Sequence, residues 1–424
     1  MAYYHLGLFV ARAAQVRAAK DLAGGYSFGN DFYQIWLSSR DWRLEHRDPY
    51  SEEMTRRIQI GLYGRPLDPH RLTDPKDRRG YPYPAFADIL FWPTAEFPFA
   101  AVCIVVFVIL VALTFATPAL WMLAMGWDPG RLWSFAVTVL FVCSYPILEG
   151  LYAGQVGLLV GFLLAASLLA LQRGRLLLSG VLMALTTIKP QVTVLSILYL
   201  VLWCFHQWPK RRSFFVGLIA TGALLVGGAL VVWPRWIQTW MQVVVQYHGY
   251  TPPPLIQEVL HNLVGSRLAV PVSLVLTVAM VASAAVLAWW NRGAESGSVE
   301  FWFTLSLLLA ITTIVILPGQ AVYDHGILLP GVFILLLRWR ELATNWVLRA
   351  MLLIGVSILV WPWIAATSVL LVRPLLSDHQ FYSKPVFALP LRTAAVFPFV
   401  VLGLLALGRR AATRTGVNRL LPLA

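Results

Sequence analysis

The sequence predicts an all-α polytopic integral membrane protein, with about eleven transmembrane helices and further helices lying at the outer membrane surface. Three observations predict it. Of the 424 residues, 58% are hydrophobic and 12% are charged, whereas soluble domains sit nearer one half and one quarter. Apolar runs of near-spanning length recur from residue 97 onward. The remaining charges divide unevenly between alternate loops. This composition excludes a soluble enzyme and a disordered chain.

The runs cover residues 97–124, 131–148, 154–171, 176–189, 191–205, 213–233, 268–290, 300–317, 325–338, 347–371 and 387–408. A straight spanning helix needs about 20 apolar residues, with a range of about 17–25, and several runs meet that alone. The runs 176–189 and 191–205 flank Lys189-Pro190. Proline disfavours a continuous helix, so two short helices meeting at a polar break are expected. The same holds around Pro318-Gly319-Gln320, ahead of His325.

Eleven segments force the loops to alternate. With the region before residue 97 placed outside, the inner loops carry Arg131, Arg173, Arg175, Lys210, Arg211, Arg212, Arg292, Arg338, Arg340, Arg349, Arg409, Arg410, Arg414 and Arg419 against Asp128, Glu295, Glu300 and Glu341. The later outer loops hold Lys189, Arg235, Arg267, Arg373, Lys384 and Arg392 against Glu149, Glu258, Asp324 and Asp378. Short loops rich in Lys and Arg stay cytoplasmic, so this orientation is favoured. The net charge of +13 is therefore mainly a topology signal. It is no nucleic-acid footprint, and no nucleic-acid partner is expected.

Residues 1–96 form an N-terminal region and first extracytoplasmic loop, and residues 97–424 a transmembrane helical domain with a second outer loop at about 234–266. The first region is polar, with 13 cations, 12 acids and turn-rich stretches such as Asp74-Pro75-Lys76-Asp77. Within it, Asp31–Arg47 sets Phe32, Ile35, Trp36 and Leu44 among charges, a pattern for an interfacial helix. The second loop has Trp236, Trp240 and Tyr247, which suit an interfacial helix or plain aromatic anchoring. Met1–Ala14 has one short apolar patch and no signal-peptide pattern. A translocated loop of this size calls for a membrane helix ahead of it, so a first helix preceding Met1 is expected. The cysteines, Cys103, Cys143 and Cys204, lie in apolar runs with no metal or redox spacing, as small lipid-phase residues.

Ionisable groups near membrane depth are costly and mark sites by default. The topology places Asp31, Glu149, Gln155, Lys189, Asn262, Asp324 and His325 on the outer side, at segment ends or in loops. A transporter would concentrate such groups in broken helices near the midplane. Gathering at one face points instead to chemistry at the outer interface. Asp31 is either a general base for a hydroxyl or a helix cap. Lys189 is either a phosphate-neutralising ammonium or a snorkelling side chain. His325 holds a phosphate, relays a proton or caps its helix. Gln155 hydrogen-bonds a sugar or satisfies a turn, and Glu149 and Asn262 are weaker candidates. The chain has no phosphate-binding GxxxxGK[ST] loop, no HExxH and no zinc-ligand spacing. With no soluble nucleotide-sugar domain either, any sugar donor is expected to be lipid-linked.

Several pieces together are specific: Gly29-Asn30-Asp31-Phe32 with Asp48-Pro49-Tyr50, then Tyr81-Pro82-Tyr83-Pro84 and Trp92-Pro93. Gly154-Gln155-Val156-Gly157, Arg173-Gly174-Arg175, Ser179-Gly180-Val181, Ile188-Lys189-Pro190 and Asp324-His325 follow in order. In these, over about residues 29–340, the chain resembles glycosyltransferase family 87, membrane enzymes of the GT-C class that use polyprenyl-phosphate sugars. The resemblance implies Asp31 as catalytic base or acceptor-orienting group, Lys189 at the donor phosphate, His325 beside that phosphate or the acceptor, and Gln155 in the substrate site; Asn262 and Glu149 are further substrate-site candidates by their position on the outer side. It also implies inverting transfer of mannose, with arabinofuranose next, to a lipid-linked or glycan acceptor at the outer face of a bacterial plasma membrane. No cofactor or metal is required, the donor being a lipid-linked substrate. The chain departs from the family pattern at Asn30, often Gly, at Gly157, often Asn, and in lacking the helix ahead of Asp31. The alternative is a lipid-sugar flippase or transporter, which moves its substrate without consuming it.

Overall fold

The computed structural model describes residues 1–339, 346–377, 381–382 and 394–415. Of the loop charges named above, Arg340, Glu341, Asp378, Lys384, Arg392 and Arg419 lie outside these, as do residues 387–393 of the last apolar run. Among the described residues regular structure is helical, apart from an isolated antiparallel bridge between Pro254 and Pro318.

A π-helical stretch, Tyr3–Val10, leads into α1 (Ala11–Ala19). The first large loop holds α2 (Asn30–Glu45), α3 (Glu52–Tyr63) and α4 (Ala85–Phe91). The apolar part begins with α5 (Phe99–Met125), α6 (Arg131–Val142), α7 (Tyr145–Ala153), α8 (Val156–Gln172), α9 (Leu176–Leu185), α10 (Pro190–His206) and α11 (Trp208–Val232). The second loop folds as α12 (Trp236–Tyr250) and α13 (Leu255–Val264). Then come α14 (Ser266–Trp290), α15 (Val299–Val315), a 3₁₀ turn at Val322–Leu328, α16 (Leu329–Leu337), α17 (Trp346–Val372) and α18 (Phe397–Thr415).

The protein is an all-α polytopic membrane protein. By length and apolarity α5, α11, α14 and the span Trp346–Leu375 can each cross a bilayer, and α6 with α7 makes a fifth, bent by 58°. The other apolar runs are helices of 10–17 residues. At 1.5 Å per residue, 17 residues reach about 25 Å, short of a hydrocarbon core of about 30 Å. All the apolar runs that fall on described residues are thus helical, and four or five of them are long and apolar enough to span by themselves. The break expected at Lys189-Pro190 is present: α9 ends at Leu185, a 3₁₀ turn covers Thr186–Ile188, and Pro190 opens α10, where its missing N–H costs nothing.

The core centres on α15. Every residue from Val299 to Val315 except Glu300 is buried, as expected of a helix apolar on all sides; α10, α14, α16 and α18 surround it. One end of the bundle is tied by Arg211, which donates to the carbonyls of Trp203, Arg292 and Ala294, and by Gln172, which donates to the Ser296 carbonyl. The loops that were grouped by charge on one side therefore meet in space. In the first loop α2 is more enclosed than an interfacial helix requires, since Phe32–Ser39, Asp41 and Trp42 are all buried. In the second, α12 leaves Ile237, Met241 and Val245 exposed.

Helices α9 and α11 cross at two glycines. A Cβ on Gly180 would overlap the Phe214 carbonyl oxygen, and one on Gly217 would overlap that of Leu177. Both obstacles are backbone, which cannot swing aside. Overpacking of this kind costs about 1–3 kcal/mol, so G180V should lower the thermal unfolding midpoint by several degrees. An unchanged midpoint would show that the crossing is not tight.

Candidate active site

Asp31 and Gln155 are brought together by two backbone turns. Gly29 (φ +69°) precedes α2, and Gly154 (φ +67°) precedes α8, in the left-handed region that side chains rarely enter. The Gly29 N–H donates to the Tyr152 carbonyl at 2.8 Å. A Cβ on Gly154 would come within 2.9 Å of Phe32 and 3.3 Å of the Gly29 Cα. Only glycines allow this approach, which lays the first turn of α2 against the start of α8.

From there a chain of polar contacts runs inward. Arg79 Nη1 donates to Asp31 Oδ1 at 3.0 Å. Gln155 Nε2 donates to Asp31 Oδ2, and its Oε1 accepts from Lys189 Nζ at 3.2 Å. Lys189 Nζ also donates to both oxygens of Asp324, at 2.9 and 2.7 Å, and stands 4.7 Å from the centre of the Tyr323 ring. Gln155, Lys189 and Asp324 are only 3%, 6% and 1% exposed. Gly157 leaves the space that Asp324 fills, since a Cβ there would overlap Asp324 Oδ1. Two cations and two carboxylates alternate through one amide, so the chain is neutral overall. Asp31 lies in the first turn of α2, where the helix dipole favours a carboxylate; the capping residue itself is Gly29.

The other predicted residues are placed differently. His325 follows Asp324 in the 3₁₀ turn and is buried with its Nδ1 unpartnered; no hydrogen bond ties it to the chain. Glu149, on α7, lies 3.2 Å from His5 Nε2. It lines a cavity of about 540 Å³ with Asn30, Asp77, Arg79 and Tyr152. Asn262 stays apart: it is on the exposed last turn of α13 and donates to its own helix at the Glu258 carbonyl. Arg79 was not singled out in the sequence, and Asp324 was noted only as an outer-side charge beside His325. Arg79 is one of a run of loop charges, Asp77-Arg78-Arg79, and nothing in that run distinguishes it. Among the described residues no three His, Cys, Asp or Glu side chains converge as a metal site.

The segment Tyr81-Pro82-Tyr83 borders the same region and is tethered from three sides. Tyr50 donates to the Tyr83 carbonyl at 2.8 Å, and Trp240 Nε1 to the Pro82 carbonyl at 2.8 Å. Tyr81 donates to Asp88 Oδ1 at 2.7 Å. Asp88 is fully buried without a cation and also accepts from Ser38 and Ser39 at 3.1 and 3.2 Å. Burial pushes the Tyr83 phenol well above its ordinary value, and the charges of Asp31 and Asp324 add to this.

Burial also lifts the Asp88 carboxyl to about 8, despite its three hydrogen bonds. A carboxyl raised in the folded state favours folding while it is protonated. Its contribution is full below the unfolded value of about 4 and is lost as pH rises from there to about 8. The unfolding midpoint of the native protein should fall over that window, and D88N should flatten the fall; an equal fall in D88N would refute the assignment. Lys189 and Asp324 form a buried pair, and removing one partner of such a pair costs about 3–5 kcal/mol. K189M and D324N should each destabilise strongly, and the double variant by much less than their sum, as read from thermal unfolding. Additive effects would show that the two groups do not interact.

The family model of glycosyltransferase family 87 matches residues 81–318, a shorter stretch than the motifs span. It takes in Glu149, Gln155, Lys189 and Asn262, begins just after Arg79, and ends before Asp324 and His325. No curated protein and no solved structure matches the chain. More than half of the sequence lies within the family match, and the all-helical membrane architecture agrees with it: the chain belongs to glycosyltransferase family 87 and is a membrane glycosyltransferase.

Proposed function

We propose that the protein transfers a sugar, mannose before arabinofuranose, from a polyprenyl-phosphate donor to a lipid-linked or glycan acceptor at the extracytoplasmic face of a bacterial plasma membrane. The observation that carries this reading is the carboxylate of Asp31, beside a large cavity. It pairs with Arg79 on one oxygen and is held on the other by Gln155, which Lys189 fixes in turn. A general base must be held in one orientation to meet a hydroxyl proton, and the Gln155 bond so holds this carboxylate. The charge-rich loops at the opposite end of the bundle support the orientation.

The reaction is a single displacement. The acceptor oxygen attacks the anomeric carbon as its proton passes to Asp31. The bond from that carbon to the phosphate oxygen breaks, and its electron pair leaves with the phosphate. One displacement inverts the anomeric configuration. Fixed dipoles and charges stabilise the leaving group. Lys189 contributes its field from below the site, His325 is the further candidate beside it, and Gln155 is both a link between the charges and a hydrogen-bonding group for the sugar. Phosphate is a good leaving group, so no general acid, metal or cofactor is invoked.

Base catalysis is worth about 10²–10⁴-fold. D31N should reduce transfer from polyprenyl-phosphate mannose to a glycan acceptor by at least that lower factor in reconstituted membranes, while donor binding is retained. Full turnover by D31N would remove Asp31 as the base. Movement of the lipid-sugar without its consumption by the native protein would replace the enzyme with a flippase.

A further inference from the structure

Two cations belong to the polar chain, and they differ in what they can still bind. An ammonium has three donors. Those of Lys189 meet Asp324 Oδ1, Asp324 Oδ2 and Gln155 Oε1, in a side chain that is almost wholly buried. Lys189 has no donor left. A guanidinium has five. Arg79 uses one on Asp31 and one on the Tyr63 hydroxyl, at 3.1 Å. Its side chain is 25% exposed and lines the cavity.

The backbone marks Arg79 as well. Its φ is +57°, a left-handed conformation that costs a long side chain of order 1 kcal/mol and concentrates at ligand clamps. It is maintained by Asp77, whose Oδ1 accepts the Arg79 N–H at 2.9 Å. Of the other carboxylates lining the cavity, Asp77 Oδ2 lies 3.5 Å from Arg79 Nε, the nitrogen already used on Tyr63, so it takes neither terminal nitrogen of the fork. Asp74 is taken by Arg65 through two bonds of 2.6 and 2.8 Å, and Glu149 faces His5.

We propose that Arg79 is the residue that takes the donor's phosphate, exchanging its contact with Asp31 for the anion. This rests on the reading of the protein as a polyprenyl-phosphate-dependent transferase. A sugar phosphodiester carries one negative charge. When its bond to the anomeric carbon breaks, the phosphate keeps the electron pair and its charge rises toward −2, while Asp31 gains the acceptor's proton and becomes neutral. Both changes move Arg79 from carboxylate to phosphate. Its binding is therefore strongest where charge develops, which is what transition-state stabilisation requires. Guanidinium is suited to this because its planar fork matches phosphate oxygens in pairs.

The test measures binding, apart from transfer. The full chain in detergent is titrated with farnesyl phosphate, a short isoprenoid monophosphate, with farnesol as the control for the apolar tail. Its unliganded thermal midpoint checks that each variant folds. The native protein should prefer the phosphate over the alcohol. R79Q should weaken farnesyl phosphate binding by about tenfold or more, R79K should restore part of it, and D31N should tighten it severalfold by removing the competing carboxylate. Undiminished binding in R79Q, or a loss in D31N as large as in R79Q, would overturn the proposal, the latter because the pair would then be only structural. The D31N arm needs no change at Arg79, so it decides even if R79Q fails to fold. Arg79-dependent binding without sugar transfer would defeat the proposed donor and leave the phosphate site standing. Normal transfer with Arg79-independent binding would do the reverse.

Discussion

The buried pair of Lys189 and Asp324 is the constraint on which the rest of the site depends. Two charges taken out of water cost several kcal/mol each, and their attraction offsets this only with close geometry and further hydrogen bonds. Here Lys189 makes two bonds to the carboxylate and a third to Gln155. The third bond matters for chemistry. With its oxygen fixed on the ammonium, the Gln155 amide can present only N–H to Asp31. The electrostatics of a pair deep in the bundle thus orient a carboxylate at its edge.

This arrangement needs three separate breaks in helical structure to coincide. The turn between α7 and α8 supplies Gln155, the 3₁₀ turn before α10 supplies Lys189, and the 3₁₀ turn before α16 supplies Asp324. Irregular backbone at membrane depth is tolerated only where protein buries it or a polar cavity receives it. Each break puts a polar side chain where its own backbone is also irregular, and the side chains satisfy one another. The fold concentrates the cost of both in one place, at one end of the bundle.

The first loop is tied within itself by polar bonds and held to this end by a backbone bond and aromatic packing. Asp88 gathers Ser38, Ser39 and Tyr81 inside the loop. The Gly29 N–H reaches the Tyr152 carbonyl, and Trp233 packs against Tyr50 and Trp42 at 5.2 and 5.8 Å. The loop's two contributions to the site, Asp31 and Arg79, lie 48 residues apart yet form one ion pair. Because Arg79 stands at the mouth and Lys189 is closed by its partner, the site has one fixed cation and one available cation. A reaction that generates negative charge on its leaving group can use both, the first as a constant field and the second as a moving contact.

Much of this was legible in the sequence. The all-helical membrane class, the polar break at Lys189-Pro190 and the gathering of Asp31, Gln155 and Lys189 at one end follow from hydropathy, proline chemistry and the cost of charge near a membrane. Those are properties of single positions and short windows, which a linear sequence carries directly. The partnership of Asp324 with Lys189, the grip of Arg79 on Asp31 and the separation of Asn262 from the polar chain were not legible. Each depends on which helix ends meet across more than a hundred residues, or on how a charged loop folds back. Hydropathy reports that a run is apolar, whereas packing around α15 decides whether it faces lipid or protein. Composition and local pattern determined the solvent and the elements of this protein. Tertiary contact decided which charges cancel and which one is left available, because pairing is a matter of distance between atoms and not of order along the chain.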